Sequence, residues 1–148
     1  MVKSRETISE KFEINTPCVL CNICALAYNG LVTHSADHYD FMTRFKDLDG
    51  LNLVYLTYYY YYETINDMYA LNPDVNDPNI LVPTKERALI EYMKNEKWCD
   101  EGVLIEALKS YLMWFRNDEE LYKVANYFGV EKHTVDYWIN EALIDEEV

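Results

Sequence analysis

The spacing of hydrophobic residues changes near the middle of the chain. Before residue 84, apolar and aromatic residues come in short runs bounded by turn-forming residues, whereas from Thr84 onward they recur every three or four positions. Short runs are typical of strands or short buried segments, and the second spacing is typical of amphipathic helices. We therefore predict a single α+β domain in which most strands precede most helices.

The N-terminal part of the domain predicts one short helix. Residues 1–16 form a polar leader, and the domain itself is predicted to span 17–148. The NTP sequence at 15–17 offers a helix cap followed by a proline at the first helical position. The next segment, CVLCNICALAY, is apolar almost all round, so we predict a buried helix that ends at Asn29 and Gly30.

The strand-rich part of the domain is predicted to cover residues 38–83. It contains the segments HYDFMTRF, LNLVYLTYYYYYE and ILVP, which are rich in aromatic and β-branched residues and are separated by turn sequences such as DLDG. Such residues pack well on a pleated surface. We expect them to form a small antiparallel sheet.

Residues 84–145 predict a bundle of about four helices. Thr84, Asp100 and Asp118 are placed to cap the first three, and Gly129 is placed to end the third. The predicted core positions are Ala88, Leu89, Tyr92 and Met93 in the first helix; Leu104, Ala107, Leu108, Tyr111, Leu112 and Phe115 in the second; Leu121, Val124, Ala125 and Phe128 in the third; and Val135, Trp138, Ile139, Ala142 and Leu143 in the fourth.

The chain is strongly acidic. Its 148 residues include 26 Asp and Glu against 13 Lys and Arg, which gives a formal net charge of -13. Charge of this sign repels nucleic-acid phosphates and anionic lipids, whereas it accelerates encounter with a basic protein surface. An acidic surface also serves as a plain solubility device. Because no segment has the pattern of a signal peptide or of a membrane span, we expect a cytoplasmic protein without membrane association.

A zinc-finger spacing occurs near the N-terminus. Cys18, Cys21, His34 and His38 read as C-x2-C-x12-H-x3-H, the ligand spacing of a two-Cys, two-His site. The surrounding residues do not fit a finger, since Ala25 stands where an aromatic residue is expected. We prefer free thiols on one face of a buried helix, with Cys18, Cys21 and Cys24 at intervals of three, and we expect no cofactor.

A second local pattern resembles a helix-turn-helix. The ANYFGVEKHTVDYW segment at 125–138 has the core and turn positions of that motif, and on its second helix Lys132, His133 and Tyr137 would face DNA. Residues 116–148, however, contain nine acidic and three basic residues, which opposes binding to phosphates. We therefore interpret 118–144 as a helical hairpin used for packing, and keep a transcriptional regulator as the alternative function.

The sequence contains no recognisable catalytic motif. G-x-S-x-G, H-E-x-x-H, the P-loop and G-x-G-x-x-G are all missing, so we predict a protein that is not an enzyme. Exposed tyrosines and acidic helices are instead suited to binding a protein partner. The candidate partner-binding residues are Tyr58, Tyr60, Tyr62, Glu101, Glu106, Asp118 and Glu119.

Four segments together carry a resemblance to a known family: ICALAYNGLVTH (Ile23 to His34), VPTKERALIEYMKN, EGVLIEALKSYL and ELYKVANYFGV, of which Glu86 to Leu89 is the most specific part. In these segments the chain resembles the body of AbiEi-type abortive-infection antitoxins. Glu86 and Arg87 are themselves expected to be capping and surface residues. The resemblance implies a mixed α/β body that neutralises a nucleotidyltransferase-like toxin by stoichiometric contact, as part of a toxin–antitoxin system in phage defence.

In the same family a separate N-terminal winged helix binds the operator. About 15 residues precede Pro17, which is too short for a winged helix, so the resemblance implies the partner-binding part without the DNA-binding module.

Overall fold

The computed structural model describes residues 18–33, 39–43, 52–53, 56–60, 69–74, 77 and 79–146, together with Thr7 and Glu10. At 43, 52–53, 56–60 and 145–146 it describes the backbone alone. In these residues the predicted α+β class is confirmed, with a sheet in the N-terminal half and helices in the C-terminal half. The strands are β1 (Cys18–Leu20), β2 (Tyr39–Thr43), β3 (Asn52–Leu53), β4 (Leu56–Tyr60), β5 (Leu71–Pro73) and β6 (Ile80–Pro83), and the helices are α1 (Asn22–Tyr28), α2 (Lys85–Lys94), α3 (Glu101–Trp114), α4 (Asp118–Tyr127) and α5 (Lys132–Glu146).

The sheet is mixed rather than antiparallel. Its strand order is β3-β4-β2-β1-β6-β5. The β1–β6 and β2–β4 pairs are parallel, whereas β1–β2, β3–β4 and β5–β6 are antiparallel. The prediction of an antiparallel sheet was wrong in this respect, because residue composition indicates strands but not which segments pair or in which direction.

The first three residues of the predicted N-terminal helix form a strand. Cys18–Leu20 is buried at every position and lies between β2 and β6 in the sheet. A short segment that is apolar on all sides fits a central strand as well as a buried helix. Here the segment is a strand because neighbouring strands pair with it on both sides. The helix begins only at Asn22, whose left-handed backbone (φ of 59°) turns the chain sharply out of β1.

Two of the three caps predicted for the C-terminal helices are confirmed. The Thr84 side chain accepts a hydrogen bond from the Arg87 N–H, and the Asp100 side chain accepts one from the Val103 N–H. The predicted cap at Asp118 is wrong, because Asn117 caps α4 and Asp118 is its first residue. Asp118 instead places negative charge in the first turn, where the helix dipole favours it.

The helices share one hydrophobic core with α1. Most predicted core positions are buried in it, including Leu89 in α2, Leu108 in α3, Val124 in α4 and Val135 in α5. Phe115 and Leu143 were predicted to be buried but are exposed. Phe115 lies just beyond the last turn of α3, so the helical period no longer applies to it. Leu143 lies about 100° around α5 from the buried Ala142.

None of the helices within the described ranges combines the length and the apolar character needed to cross a bilayer.

Candidate protein-binding corner

The most exposed large apolar side chains of the described residues lie where α3 meets α4. We call residues 113–120 the α3–α4 corner. The exposed fractions of Trp114, Met113 and Phe115 are 72%, 59% and 40%. Three consecutive apolar residues are thus presented to solvent at one end of a helix, and such a group marks an interaction surface more often than a single exposed residue does.

The periodicity of α3 explains why Met113 faces outward, but not why Trp114 does. The buried face of α3 is formed by Leu104, Ala107, Leu108 and Tyr111. With about 100° of rotation per residue, Met113 lies about 200° around the helix from Tyr111, whereas Trp114, seven residues after Ala107, lies on nearly the same side as Ala107 and is exposed at the last residue of α3. The Phe115 ring lies beside α2, with the Lys85 Nζ atom 4.5 Å from the ring centroid.

A buried tyrosine holds the corner in place. The Tyr111 hydroxyl lies 2.8 Å from Glu86 Oε2 and 3.0 Å from the Asn117 carbonyl oxygen, and it accepts a hydrogen bond from the Asn117 N–H at 3.0 Å. Its single proton goes to one of the two acceptors at a time. Burial and the hydrogen bond to Glu86 raise the pKa of Tyr111, so the hydroxyl remains a donor at neutral pH. The corner is therefore tied to both α2 and α3.

The charged residues of the corner are partly neutralised. Arg116 donates from Nε to Asp118 Oδ1 at 2.9 Å and from Nη2 to Asp118 Oδ2 at 3.2 Å. The two residues therefore form a bidentate ion pair. The neighbouring Glu119 makes no such ion pair within the part of the chain that the structure describes. Of the two acidic residues predicted here, Glu119 is the one whose charge is available to a partner.

The other predicted partner-binding residues do not converge on the corner. Glu106 accepts hydrogen bonds from the Thr33 N–H and hydroxyl, at 3.2 and 3.1 Å. Glu101 lies at the opposite end of α3, about 20 Å from Trp114 along the helix axis. Tyr58 and Tyr60 lie in β4, where only the backbone is described, and Tyr62 lies outside the described residues. Their predicted role stays a prediction.

Sequence reasoning missed Met113 and Trp114. A signal was present for Met113, which lies off the apolar stripe of α3 that the sequence predicts, whereas Trp114 lies seven residues after Ala107 and continues that stripe. Tryptophan is also enriched among the residues that dominate binding energy at protein interfaces. The helical period therefore indicates the exposure of Met113 but not that of Trp114.

The hairpin of α4 and α5 has the length and turn of a helix-turn-helix. Residues 128–131 separate the two helices, and Gly129 has a left-handed backbone with φ of 77°. Lys132, His133 and Tyr137 are exposed, as the DNA interpretation requires.

Two of the residues that would face DNA lie beside acidic neighbours. Lys132 Nζ lies 3.6 Å from Asp136 Oδ2, and His133 Nδ1 lies 3.0 Å from Glu131 Oε2. Asp136 also accepts a hydrogen bond from the Tyr122 hydroxyl, which raises the pKa of Tyr122 to about 12. Lys132, the lysine that would face DNA, is therefore already paired with a carboxylate, which opposes its contact with a phosphate.

The cysteines do not form the predicted helical face. Cys18 lies in β1, Cys21 precedes α1 and Cys24 lies within α1, and all three are buried. Burial raises the pKa of Cys21 well above its usual value and that of Cys24 to about 11, so both thiols are protonated at neutral pH. His34 and His38 lie outside the described residues, and within the described ones no cluster of three potential ligands occurs. The preference for free thiols over a zinc site at Cys18, Cys21, His34 and His38 stays a prediction.

Arg87 is a core residue, so the expectation that it lies on the surface was wrong. Its side chain is fully buried, donates hydrogen bonds to Glu91 and to the Tyr69 carbonyl oxygen, and lies 4.8 Å from the centroid of the Phe128 ring. A buried guanidinium requires such partners. Glu86 accepts from Tyr111 rather than capping the helix.

An open cleft beside the C-terminal end of α2 has a volume of about 470 Å³. Two of its charged residues are already engaged, since Glu91 pairs with Arg87 and Lys94 Nζ donates to the Phe128 carbonyl oxygen at 2.9 Å. These two groups are therefore poorly placed to act as a free acid and base.

Comparison of the chain with protein-family models finds no match, and comparison with curated proteins finds none either.

Proposed function

We propose that this protein is a non-enzymatic binding protein that captures a basic protein partner through the α3–α4 corner. The observation that carries the proposal is Trp114, which is 72% exposed on a corner held by buried hydrogen bonds. Solvent-exposed tryptophan becomes strongly stabilising when a partner covers it. Because the corner is already ordered, little conformational entropy is lost when it binds.

Electrostatics supports a partner of positive charge. The chain carries a net charge of -13, and at the corner Glu119 and Glu120 follow the paired Asp118 in the first turn of α4. Long-range attraction between opposite charges raises the rate of encounter, while the apolar residues determine how long the complex lasts. The acidic residues would thus surround an apolar anchor.

The resemblance to AbiEi-type antitoxins suggests the class of partner. On this proposal the partner is a nucleotidyltransferase-like toxin, and the chain neutralises it by one-to-one contact in phage defence. A basic surface is expected on a protein that handles nucleotides or nucleic acid, since phosphates must be neutralised there. The acidic charge of the chain is complementary to such a surface.

Replacing Trp114 with Ala tests the corner. The wild type and the Trp114→Ala variant would be used to isolate the partner from the native host, and affinity for the purified partner would then be measured by calorimetry. We expect at least about 30-fold weaker binding, which corresponds to about 2 kcal/mol for an anchoring aromatic residue. The matched control is Tyr28→Ala, because Tyr28 is also exposed (53%) but lies on α1.

Equal weakening by both substitutions, or none by Trp114→Ala, would exclude the corner as the anchor. A toxin-neutralisation assay gives a second readout, in which co-expression with the partner restores growth for the wild type and for Tyr28→Ala but not for Trp114→Ala.

A transcriptional regulator is the second candidate, because α4, α5 and the glycine turn between them have helix-turn-helix spacing. In this function Lys132, His133 and Tyr137 would contact DNA. A gel-shift assay at low salt with fragments from upstream of the gene tests it, and absence of any shifted band would reject it.

A further inference from the structure

We propose that the outward face of α5 is a second contact surface, which docks an apolar segment flanked by lysine or arginine in the partner. This inference deepens the proposed function and rests on it. We call His133, Tyr137, Asn140 and Ile144 the α5 stripe. These residues follow one another at helical intervals of four, three and four, so they form one continuous line along the helix.

The stripe lies opposite the face by which α5 joins the core. Val135, Ile139 and Ala142 are buried against the other helices. On a helix of 3.6 residues per turn, Tyr137 and Ile144 lie about 180° from the middle of that buried face. Their exposed fractions are 55% and 57%, and the partly exposed Leu143 adjoins Ile144. The helix therefore exposes two large apolar side chains, Tyr137 and Ile144, on the side that faces away from the described core.

The helix is held firmly enough to serve as a preformed surface. Helix α5 packs along α3. The Tyr122 hydroxyl of α4 donates a hydrogen bond to Asp136, which lies near the N-terminal end of α5. The Lys132 Nζ atom lies 5.3 Å from the centroid of the Tyr122 ring. A partner that covers the stripe would bury apolar area without having to order the helix first.

The charges around the stripe determine what can cover it. Residues 131–144, whose side chains the structure describes, include three carboxylates and one lysine. That lysine, Lys132, is paired with Asp136. Like charges oppose both a second copy of this chain and the phosphates of duplex DNA. A partner segment with positive residues on its flanks is attracted by the same field.

The spacing of the stripe indicates the form of the partner segment. Tyr137 and Ile144 are seven residues apart, which places them about 10 Å apart along the axis. A partner helix with apolar residues seven positions apart has the same spacing. We therefore assign the occupant as a basic amphipathic helix that packs its apolar residues on Tyr137 and Ile144.

Titration with designed peptides tests this assignment on the full chain. The probe is an 18-residue helical peptide of leucine and lysine, with leucines at intervals of three and four. One control peptide has serine for every leucine, and another has glutamate for every lysine. Amide shifts in two-dimensional NMR spectra report where each peptide binds, and calorimetry reports the affinity.

We expect the leucine–lysine peptide to shift the amides of the α5 stripe, and the double substitution of Tyr137→Ser and Ile144→Ser to weaken its binding at least about tenfold. Both substituted residues are exposed, so circular dichroism should show an unchanged fold. The matched control, Tyr28→Ser, removes an exposed tyrosine from α1 and should leave peptide affinity unchanged.

Three results would overturn the assignment: unchanged affinity in the double variant, equal affinity for the serine–lysine peptide, or equivalent shifts of the stripe by a 20-base-pair duplex. Capture of the native partner distinguishes the role of the α5 stripe from that of the α3–α4 corner. Loss of capture only in Trp114→Ala would refute the α5 stripe, whereas loss only in the double variant would refute the corner. If neither set of substitutions alters capture, both surfaces are rejected.

Discussion

A single hydroxyl group connects three parts of the helical half of the molecule. Tyr111 is fully buried, and its hydroxyl contacts Glu86 of α2 and both backbone polar groups of Asn117, which caps α4. Tyr111→Phe retains the ring but leaves the Asn117 N–H without its acceptor. We expect the free energy of unfolding to fall by about 1–2 kcal/mol, the usual cost of a buried polar group that loses its hydrogen bond. Urea denaturation measures this change. Tyr137→Phe serves as the control, because its exposed position predicts a change within about 0.5 kcal/mol. If the two variants are equally stable, Tyr111 does not hold the corner as described.

The α4–α5 hairpin depends on one backbone conformation rather than on packing at its turn. Gly129 has φ of 77°, and a Cβ atom added there would meet no atom within 4 Å. Only the strain of a side chain in the left-handed region should therefore matter, and Gly129→Ala should cost about 1 kcal/mol. Gly129→Asn should cost less, since asparagine adopts this conformation more readily than other residues. Thermal unfolding of the two variants and the wild type measures these losses of stability. A smaller loss for alanine than for asparagine would show that the turn relaxes to another conformation.

The acidity of the whole molecule should affect its own stability as well as its binding. A net charge of -13 brings carboxylates close together in the folded state, and their repulsion is screened when the Debye length shortens from about 30 Å at 0.01 M salt to about 3 Å at 1 M. We expect the melting temperature to rise by about 3 °C between these limits, corresponding to about 1 kcal/mol for a domain of this size. Calorimetry at increasing concentrations of sodium chloride measures the melting temperature. Sucrose, which is uncharged, is the control for nonspecific stabilisation. A melting temperature that falls with salt would indicate that attractive ion pairs such as Arg116–Asp118 outweigh the repulsion.

The sequence by itself determined the α+β class, the four C-terminal helices and most of their buried positions. It did so because helical periodicity and capping are properties of residues only a few positions apart, as at Thr84, Asp100 and Gly129. The strongly acidic charge follows from composition and needs no structure. For the candidate site, sequence identified Asp118 and Glu119 but overlooked the apolar anchor beside them.

Only the tertiary structure decided features that depend on segments far apart in the chain. Cys18–Leu20 became a strand because β2 and β6 pair with it on both sides, and parallel pairing made the sheet mixed. Arg87 is buried because Tyr69, Glu91 and Phe128 surround its guanidinium, which no local pattern could indicate. Helical period places Trp114 on the side of the buried Ala107, and only the packing of the helices leaves it exposed at the end of α3.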